Sequence, residues 1–305
     1  METAKKRVLI LGATGHSGQY AIERFAERCA DASGYTFRVL VRPTSDLTPI
    51  TSYGLPLEIV RGDISDDADL RRAMEGVSVV LNVFGIIDRP QRVARFAADA
   101  GVKRLISVHT TGIYSRYKNA RKNYIESDEQ TREVCRGAGI PLSILRPTMI
   151  YGAPDDQNMI RFIKMVDRLP VMPVVEGARF VMQPVHRRDL GHAYADIVLS
   201  PATVGRDYVL SGDRPIELRE ILIDIGTCLG KRVRFISFPF RFAYGLAWIL
   251  YGISFKRVDY RERVQRLVEP RAYPHDEAAR DFGYAPMPFH QGILQEVTEY
   301  RKLKR

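Results

Sequence analysis

The sequence predicts an α/β protein: a doubly wound parallel sheet with a smaller, mostly helical C-terminal lobe. Three observations carry this. Short apolar runs alternate with amphipathic stretches through the first half of the 305-residue chain, as expected of strands buried on both faces between layers of helices. Gly76, Gly101 and Gly139 each follow an amphipathic stretch, where helices commonly close. The first apolar run also ends in a turn holding three glycines spaced three apart.

That run is Val8-Leu9-Ile10-Leu11, and it enters Gly12-Ala13-Thr14-Gly15-His16-Ser17-Gly18 before a helix expected over 19–30. Glycine is needed where the backbone takes a positive φ or approaches a ligand closely. A helix N-terminus offers free N–H groups and the positive end of its dipole, which suit a pyrophosphate. The segment therefore reads as the first βα turn of a dinucleotide-binding, Rossmann-type sheet. Further strands are expected over 36–41, 57–60, 77–83, 104–109 and 142–145, with helices over 67–74, 91–100 and 126–137.

After Arg146-Pro147 the alternation stops, and prolines appear at 154, 170, 173 and 184. Helices are expected over 158–168, 189–199 and 217–229, and strands over 207–210 and 233–237. The expected division is a dinucleotide-binding domain over 1–153, its sheet completed by about 184–210, and a substrate-side lobe over 154–305 interwoven with it.

Composition narrows the class. With 45% hydrophobic and 27% charged residues the chain can build an ordinary core. Cys29, Cys135 and Cys228 stand far apart, which argues against a disulfide framework or zinc site and fits a reducing compartment. Residues 1–7 lead straight into the first strand, leaving no room for a signal peptide, so the expected location is cytoplasmic. The six histidines show no paired ligand spacing, and no metal is expected. A net charge of +10 favours anionic partners. The basic residues form no single stripe, so a phosphate-rich small ligand is expected and nucleic acid is not.

The segment 238–255 is nearly apolar, holds the sole tryptophan, Trp248, and is followed by Lys256-Arg257. A membrane span wants about 20 apolar residues, whereas Pro239, Arg241, Gly245 and Gly252 interrupt this one. Two readings stay open: a core- or dimer-facing helix, or a peripheral membrane contact through 238–257.

Arg42 follows the second strand. A carboxylate there would hold the ribose hydroxyl of NAD, while an arginine accommodates the 2′-phosphate of NADP through a charge-assisted contact. NADP is expected, with NAD the alternative. Asp63, in Arg61-Gly62-Asp63-Ile64, can accept the adenine amino group while Ile64 packs on the ring, or it can be a turn aspartate.

Taken with Val80-Leu81-Asn82-Val83, Ser107-Val108-His109-Thr110-Thr111, Leu145-Arg146-Pro147-Thr148-Met149-Ile150-Tyr151-Gly152, Pro184–Leu190 and Phe282-Gly283-Tyr284-Ala285-Pro286, these motifs span nearly the whole chain. In that order they resemble the extended or atypical branch of the short-chain dehydrogenase/reductase superfamily, which includes NAD(P)-dependent epimerases and dehydratases and NmrA-like proteins. The resemblance implies an NADP-dependent oxidoreductase or epimerase-like enzyme acting on a small polar or nucleotide-linked molecule, with a homodimer common in the family. It implies that Gly12, Gly15 and Gly18 cradle the pyrophosphate, with Thr14, His16 and Ser17 in the same turn. Asp63 and Ile64 would hold adenine, the loop from Asn82 and Val83 to Gly85 would lie along the cofactor, and the segment from Pro147 to Ile150 would approach the nicotinamide. Thr110 or Thr111 would take the place of the catalytic serine or threonine.

The chain departs from the family at the catalytic pair. The family uses a tyrosine with a lysine four residues later, because a phenol with a pKa near 10 needs a nearby cation to act as a base. Tyr124 occupies the tyrosine's place, but Asp128 stands four residues on, and a carboxylate there would push the phenol up. Lys118 or Lys122 supplies the charge, or another group among Asp128, Tyr114, Tyr117 and His109 does the acid–base work, or the protein binds the dinucleotide without turnover as a redox-sensing or assembly protein. The apolar segment adds a further reading, a membrane-peripheral reductase of a lipid-like substrate.

Overall fold

The structure is a computed structural model that describes residues 5–84, 90–253 and 261–304. Its first half runs β1 (Lys6–Leu11), α1 (Gly18–Glu27), β2 (Tyr35–Val41), α2 (Thr48–Thr51), β3 (Leu57–Arg61), α3 (Asp67–Met74) and β4 (Val79–Asn82). It continues with α4 (Pro90–Asp99), β5 (Arg104–Val108), α5 (Lys118–Gly137) and β6 (Leu142–Pro147). Then come β7 (Ile150–Tyr151), α6 (Met159–Arg168), β8 (Met172–Val175), β9 (Val181–Met182), β10 (Val185–His186), α7 (Arg187–Leu199) and β11 (Tyr208–Leu210). The last elements are β12 (Ile216–Glu217), α8 (Leu218–Leu229), β13 (Phe235–Phe238), α9 (Phe240–Ile253), α10 (Arg261–Leu267), α11 (Asp276–Phe282) and α12 (Phe289–Lys304).

Seven strands form one sheet in the order β11-β6-β5-β4-β1-β2-β3, and every pairing is parallel. This is the doubly wound sheet expected. Its strand order reverses between β1 and β4, and in such sheets ligands bind in the crevice beyond the strands' carboxyl ends at that point. One face is covered by α1 and α7 through Ile22, Phe25, Tyr194 and Ile197. The other is covered by α3, α4 and α5 through Leu70, Val93, Ala94 and Cys135. A separate apolar core in the lobe joins α6, α8 and α12 through Ile163, Ile221, Ile225 and Ile293.

Two boundaries differ in ways that matter for the site. The helix expected from 126 begins at Lys118, so Tyr124 lies inside α5 and not before it. Residues 118–125 are mostly polar and carry no apolar period, yet Lys, Ala and Arg are good helix formers. The sixth strand continues to Pro147 because Leu210 of β11 pairs beside it.

Asp128 belongs to a closed ring of charges. Arg146 of β6 donates to Asp128 at 2.7 Å and to Asp207 at 3.0 Å. Arg132, one turn beyond Asp128 on α5, donates to Asp128 at 2.9 Å and also to Asp207. Asp207 in turn accepts the Ile144 amide at 3.2 Å. The ring fastens α5 to the edge of the sheet where β6 meets β11. Burial alone would raise the Asp128 carboxyl; His109, Arg146 and Arg132 together hold it well below the usual carboxylate range.

Glu296 of α12 is fully buried. Its Oε2 accepts the Gly152 amide at 2.8 Å. Burial, with the neighbouring Asp156 charge, pushes its carboxyl up to about 8.

Removing one member of a buried ion pair strands its partner at a cost of about 3–5 kcal/mol. Asp128→Leu is expected to lose stability on that scale in urea unfolding at neutral pH. In an Arg146→Met background the same change should cost markedly less. For Glu296 the folded state holds its proton above the unfolded value, so stability falls as pH rises from about 4.5 to about 8. Glu296→Gln should flatten that decline, by on the order of a few kcal/mol at alkaline pH, as read by denaturant midpoints across pH.

Candidate functional site

The turn after β1 is built around two glycines. Gly12 has φ +90° and its carbonyl accepts the Gly15 amide at 3.0 Å. Gly18 opens α1 against that carbonyl: a Cβ there would lie 2.0 Å from the Gly12 oxygen. No side chain caps α1 and no acidic residue lies in its first turn, so its positive end is left for a ligand.

A cleft of about 670 Å³ opens over this turn, lined by Gly12, Thr14, Gly15, His16 and Ser17 and by Arg42, Asp63, Ile64 and Val83. The residues present fit a dinucleotide: a glycine cradle, an uncapped helix end, and an arginine at the far rim. Gly18 lies behind the lining. Asn82 is buried beside it, donating to Ser107 Oγ at 3.3 Å. Gly85, expected to continue the loop after Asn82, lies outside the described residues.

The rim by Arg42 is braced by a residue the sequence reading passed over. One guanidinium nitrogen of Arg61 donates to the carbonyls of Arg42, Pro43 and Ser45 at 3.2, 3.1 and 3.3 Å. This leaves the exposed Arg42 side chain and Ser45 at the cleft edge. Asp63 is bonded as a turn aspartate. Its Oδ1 takes the Ser65 hydroxyl and amide, at 2.5 and 2.8 Å, and these bonds hold its carboxyl below the usual range. The same residue faces the cleft.

The lobe supplies the opposite wall through Tyr151, Asp155, Asp156, Asn158 and Arg187. His16 Nε2 reaches across to Asp155 at 3.4 Å. Tyr151 and Arg187 fall within motifs that carry the family resemblance, but nothing local in the sequence marks Asp155, Asp156 or Asn158, which meet the glycine turn only through the chain's return from the lobe.

A second cavity, of about 300 Å³, lies at the carboxyl ends of β5 and β6 and shares Ile150 and Asn158 with the cleft. Thr110, Thr111, Tyr124, Pro147 and His109 all line it. Pro147 thus sits on this side and not in the cleft. Thr110 Oγ1 accepts the Gly112 amide at 3.1 Å, so its own hydrogen remains available. Thr111 spends its hydrogen on the Pro147 carbonyl at 3.1 Å. The Tyr124 ring lies against Gly112, where a Cβ would come within 2.6 Å of it.

The alternative acid–base groups separate by position. Tyr114 is exposed and packs on Tyr273 at 5.4 Å, while Tyr117 donates to the Gln265 carbonyl at 3.4 Å. Neither lines the cavity. The side chains of Lys118 and Lys122 lie outside the described residues. Asp128 is absent from the lining as well, and its charge is spent in the ring with Arg146 and Arg132. His109 remains: it is buried, its Nδ1 is 3.1 Å from Asp128 Oδ1 outside hydrogen-bond alignment, and its Nε2 has no partner.

The cavity's far wall holds Arg266, Glu269, Arg271 and Gln183, none singled out from the sequence. Glu269 accepts the Ser115 hydroxyl at 2.9 Å and the Arg116 amide at 2.6 Å. Arg271 Nε is buried without a partner. Elsewhere, His186 caps α7 by accepting the Arg188 amide at 3.3 Å, and burial, with Arg187 and Arg188, lowers it to about 4. Among the described residues, Glu23, Glu27 and His192 form the one cluster with metal-like spacing. Arg188 and His192 already occupy Glu23, each at 3.0 Å.

Comparison with known proteins agrees with this geometry. Residues 12–201 match a protein family described as NAD(P)H-binding. A (4-alkanoyl-5-oxo-2,5-dihydrofuran-3-yl)methyl phosphate reductase from Streptomyces griseus is 28% identical over 230 residues, 75% of this chain and 76% of that protein. A nucleoside-diphosphate-sugar epimerase from Pseudomonas aeruginosa superposes with a TM-score of 0.76 at 18% identity, covering 98% of this chain and 99% of that one. The Citrobacter sp. triphenylmethane reductase, solved with NADP(H), gives 0.66 at 18% identity over 95% and 99% of the two chains. The two structures show the fold alone. With the match over 12–201, the chain belongs to the NAD(P)H-binding family, and its architecture is of the extended short-chain dehydrogenase/reductase type.

Proposed function

We propose that this protein is an NADPH-dependent reductase of a carbonyl group on a small molecule that also carries an acidic group. The observation that carries the reading is that the two cavities lie side by side. The glycine-lined cleft and the cavity holding Thr110 and Tyr124 share Ile150 and Asn158, so a cofactor in one meets a substrate in the other.

NADPH, when bound, supplies the hydride. Arg42, on a loop braced by Arg61, is placed to hold the 2′-phosphate. In the adjoining cavity the Thr110 hydroxyl, its oxygen fixed by the Gly112 amide, donates to the substrate oxygen. Tyr124 delivers the proton that the reduced oxygen needs. The lysine of the family's pair has no equivalent at Asp128; His109 and Arg271 both line the cavity with a buried unpartnered nitrogen, and of the two only the imidazole readily takes up and returns a proton. We assign it the resupply of the phenol's proton.

The acidic group follows from the far wall. Arg266 and Arg271 line the cavity, and the Glu269 carboxylate is already taken by Ser115 and the Arg116 amide. The wall's spare charge is positive. The Streptomyces relative is named for a phosphate ester bearing an alkanoyl group, a chemistry such a wall suits.

The test is nucleotide titration followed by turnover on a panel of 3-oxo acids and acyl phosphate esters. Arg42→Ala should weaken NADPH binding roughly 10- to 100-fold and leave NADH nearly unchanged. Tyr124→Phe should lower kcat by about 10²–10⁴-fold with NADPH affinity intact. Tight NADPH binding with no turnover of any acidic carbonyl compound would overturn the reductase reading.

A further inference from the structure

Helix α9 turns its apolar side outward. Phe242, Leu246, Ile249 and Ile253, separated by four, three and four residues, share one helical face. They are 59%, 48%, 58% and 70% exposed, with Trp248 half-exposed beside them. The opposite side meets the protein: Ala247 is buried, and the Tyr244 hydroxyl accepts from Gln265 of α10 at 3.4 Å. A continuous apolar stripe of this kind marks an interaction surface. Among the described residues no helix is long and apolar enough to cross a membrane. The 14 residues of α9 reach only about 21 Å, short of a hydrocarbon core of about 30 Å.

Charge indicates what covers the stripe. Between Asp224 and Asp259 the sequence holds no acidic residue, while Lys231, Arg232, Arg234, Arg241, Lys256 and Arg257 fall within that stretch. The Arg261 guanidinium lies 4.3 Å from the Trp248 ring centre and 3.8 Å from that of Tyr251. One exposed carboxylate stands at the helix, Glu176, whose Oε1 accepts the Phe240 amide at 2.6 Å, and the cations of this stretch outnumber it. An apolar face with that excess of positive charge suits an anionic bilayer surface, where apolar burial and electrostatic attraction add.

We propose that α9 lies in the interface of an anionic lipid membrane, with Phe242, Leu246, Ile249 and Ile253 seated among the acyl chains. The position of α10 gives this a consequence for the site. Gln265 bonds both Tyr244 of α9 and Tyr117, and the next residue, Arg266, lines the substrate cavity. Docking therefore sets the cavity's far wall one helix layer behind the membrane-facing stripe, and the substrate class becomes an anionic amphiphile taken from that membrane. This second step rests on the reductase reading; the docking itself does not.

The experiment is flotation of the full chain with vesicles of phosphatidylcholine alone or mixed with phosphatidylserine, read together with Trp248 emission. Trp248 is the sole tryptophan, so the signal reports α9 directly. Flotation with the phosphatidylserine vesicles, loss of binding at high salt and a blue shift of emission are expected. Ile249→Asp should weaken vesicle binding roughly tenfold or more and leave NADPH affinity unchanged. Failure to float, or equal flotation of Ile249→Asp, overturns the proposal. So does a concentration-dependent dimer in sedimentation that Ile249→Asp abolishes, which would assign the stripe to a second copy. If vesicles bind but turnover fails on every amphiphilic carbonyl, the docking stands and the reductase reading falls.

Discussion

The contact of Gly18 with the Gly12 carbonyl is the constraint on which the site depends. With no room for a Cβ between them, α1 can begin directly against the end of β1. That contact places an uncapped helix end at the reversal of strand order in the sheet, where a parallel sheet opens a crevice. The other parts of the cleft are arranged around this junction. Arg61 braces the Arg42 loop on one side, and the lobe closes the other through Asp155 and Asn158.

Asp128 shows how one residue can be misread when its partners are distant in sequence. Four residues after Tyr124 it looks like a charge opposed to the family's chemistry. In the fold it is the hub of a ring with Arg132, Arg146 and Asp207. Arg146 arrives from β6 and Asp207 from the residue just before β11, two strands that meet only in the sheet, so no local spacing announces the ring. The charge that seemed to oppose catalysis holds α5, and with it Tyr124, against β6.

The sheet and the glycine cradle were legible because both rest on local rules: buried parallel strands are apolar runs, and a tight βα turn needs glycine. Gly12 and Gly15 could be read for that reason, Arg42 and Asp63 from their places at strand ends, and Ile64 and Val83 through the family resemblance; all six line the cleft. Pro147 was readable as a strand end, but which cavity it faces depends on the lobe. Arg266, Arg271 and Asn158 were not legible, because they enter from lobe segments whose packing follows no short period. The start of α5 at Lys118 was missed for a related reason, since a polar, solvent-facing helical turn carries no hydrophobic signature.

The central claim is that a dinucleotide in the glycine-lined cleft reacts with a carbonyl in the adjoining cavity. It is tested most directly by mass spectrometry of products formed from NADPH carrying deuterium at its reacting carbon, with an acidic carbonyl compound as acceptor. The account predicts one deuterium on the former carbonyl carbon of the alcohol, and its loss in Tyr124→Phe. NADPH bound at full occupancy, with no deuterium transferred to any acceptor, would contradict it.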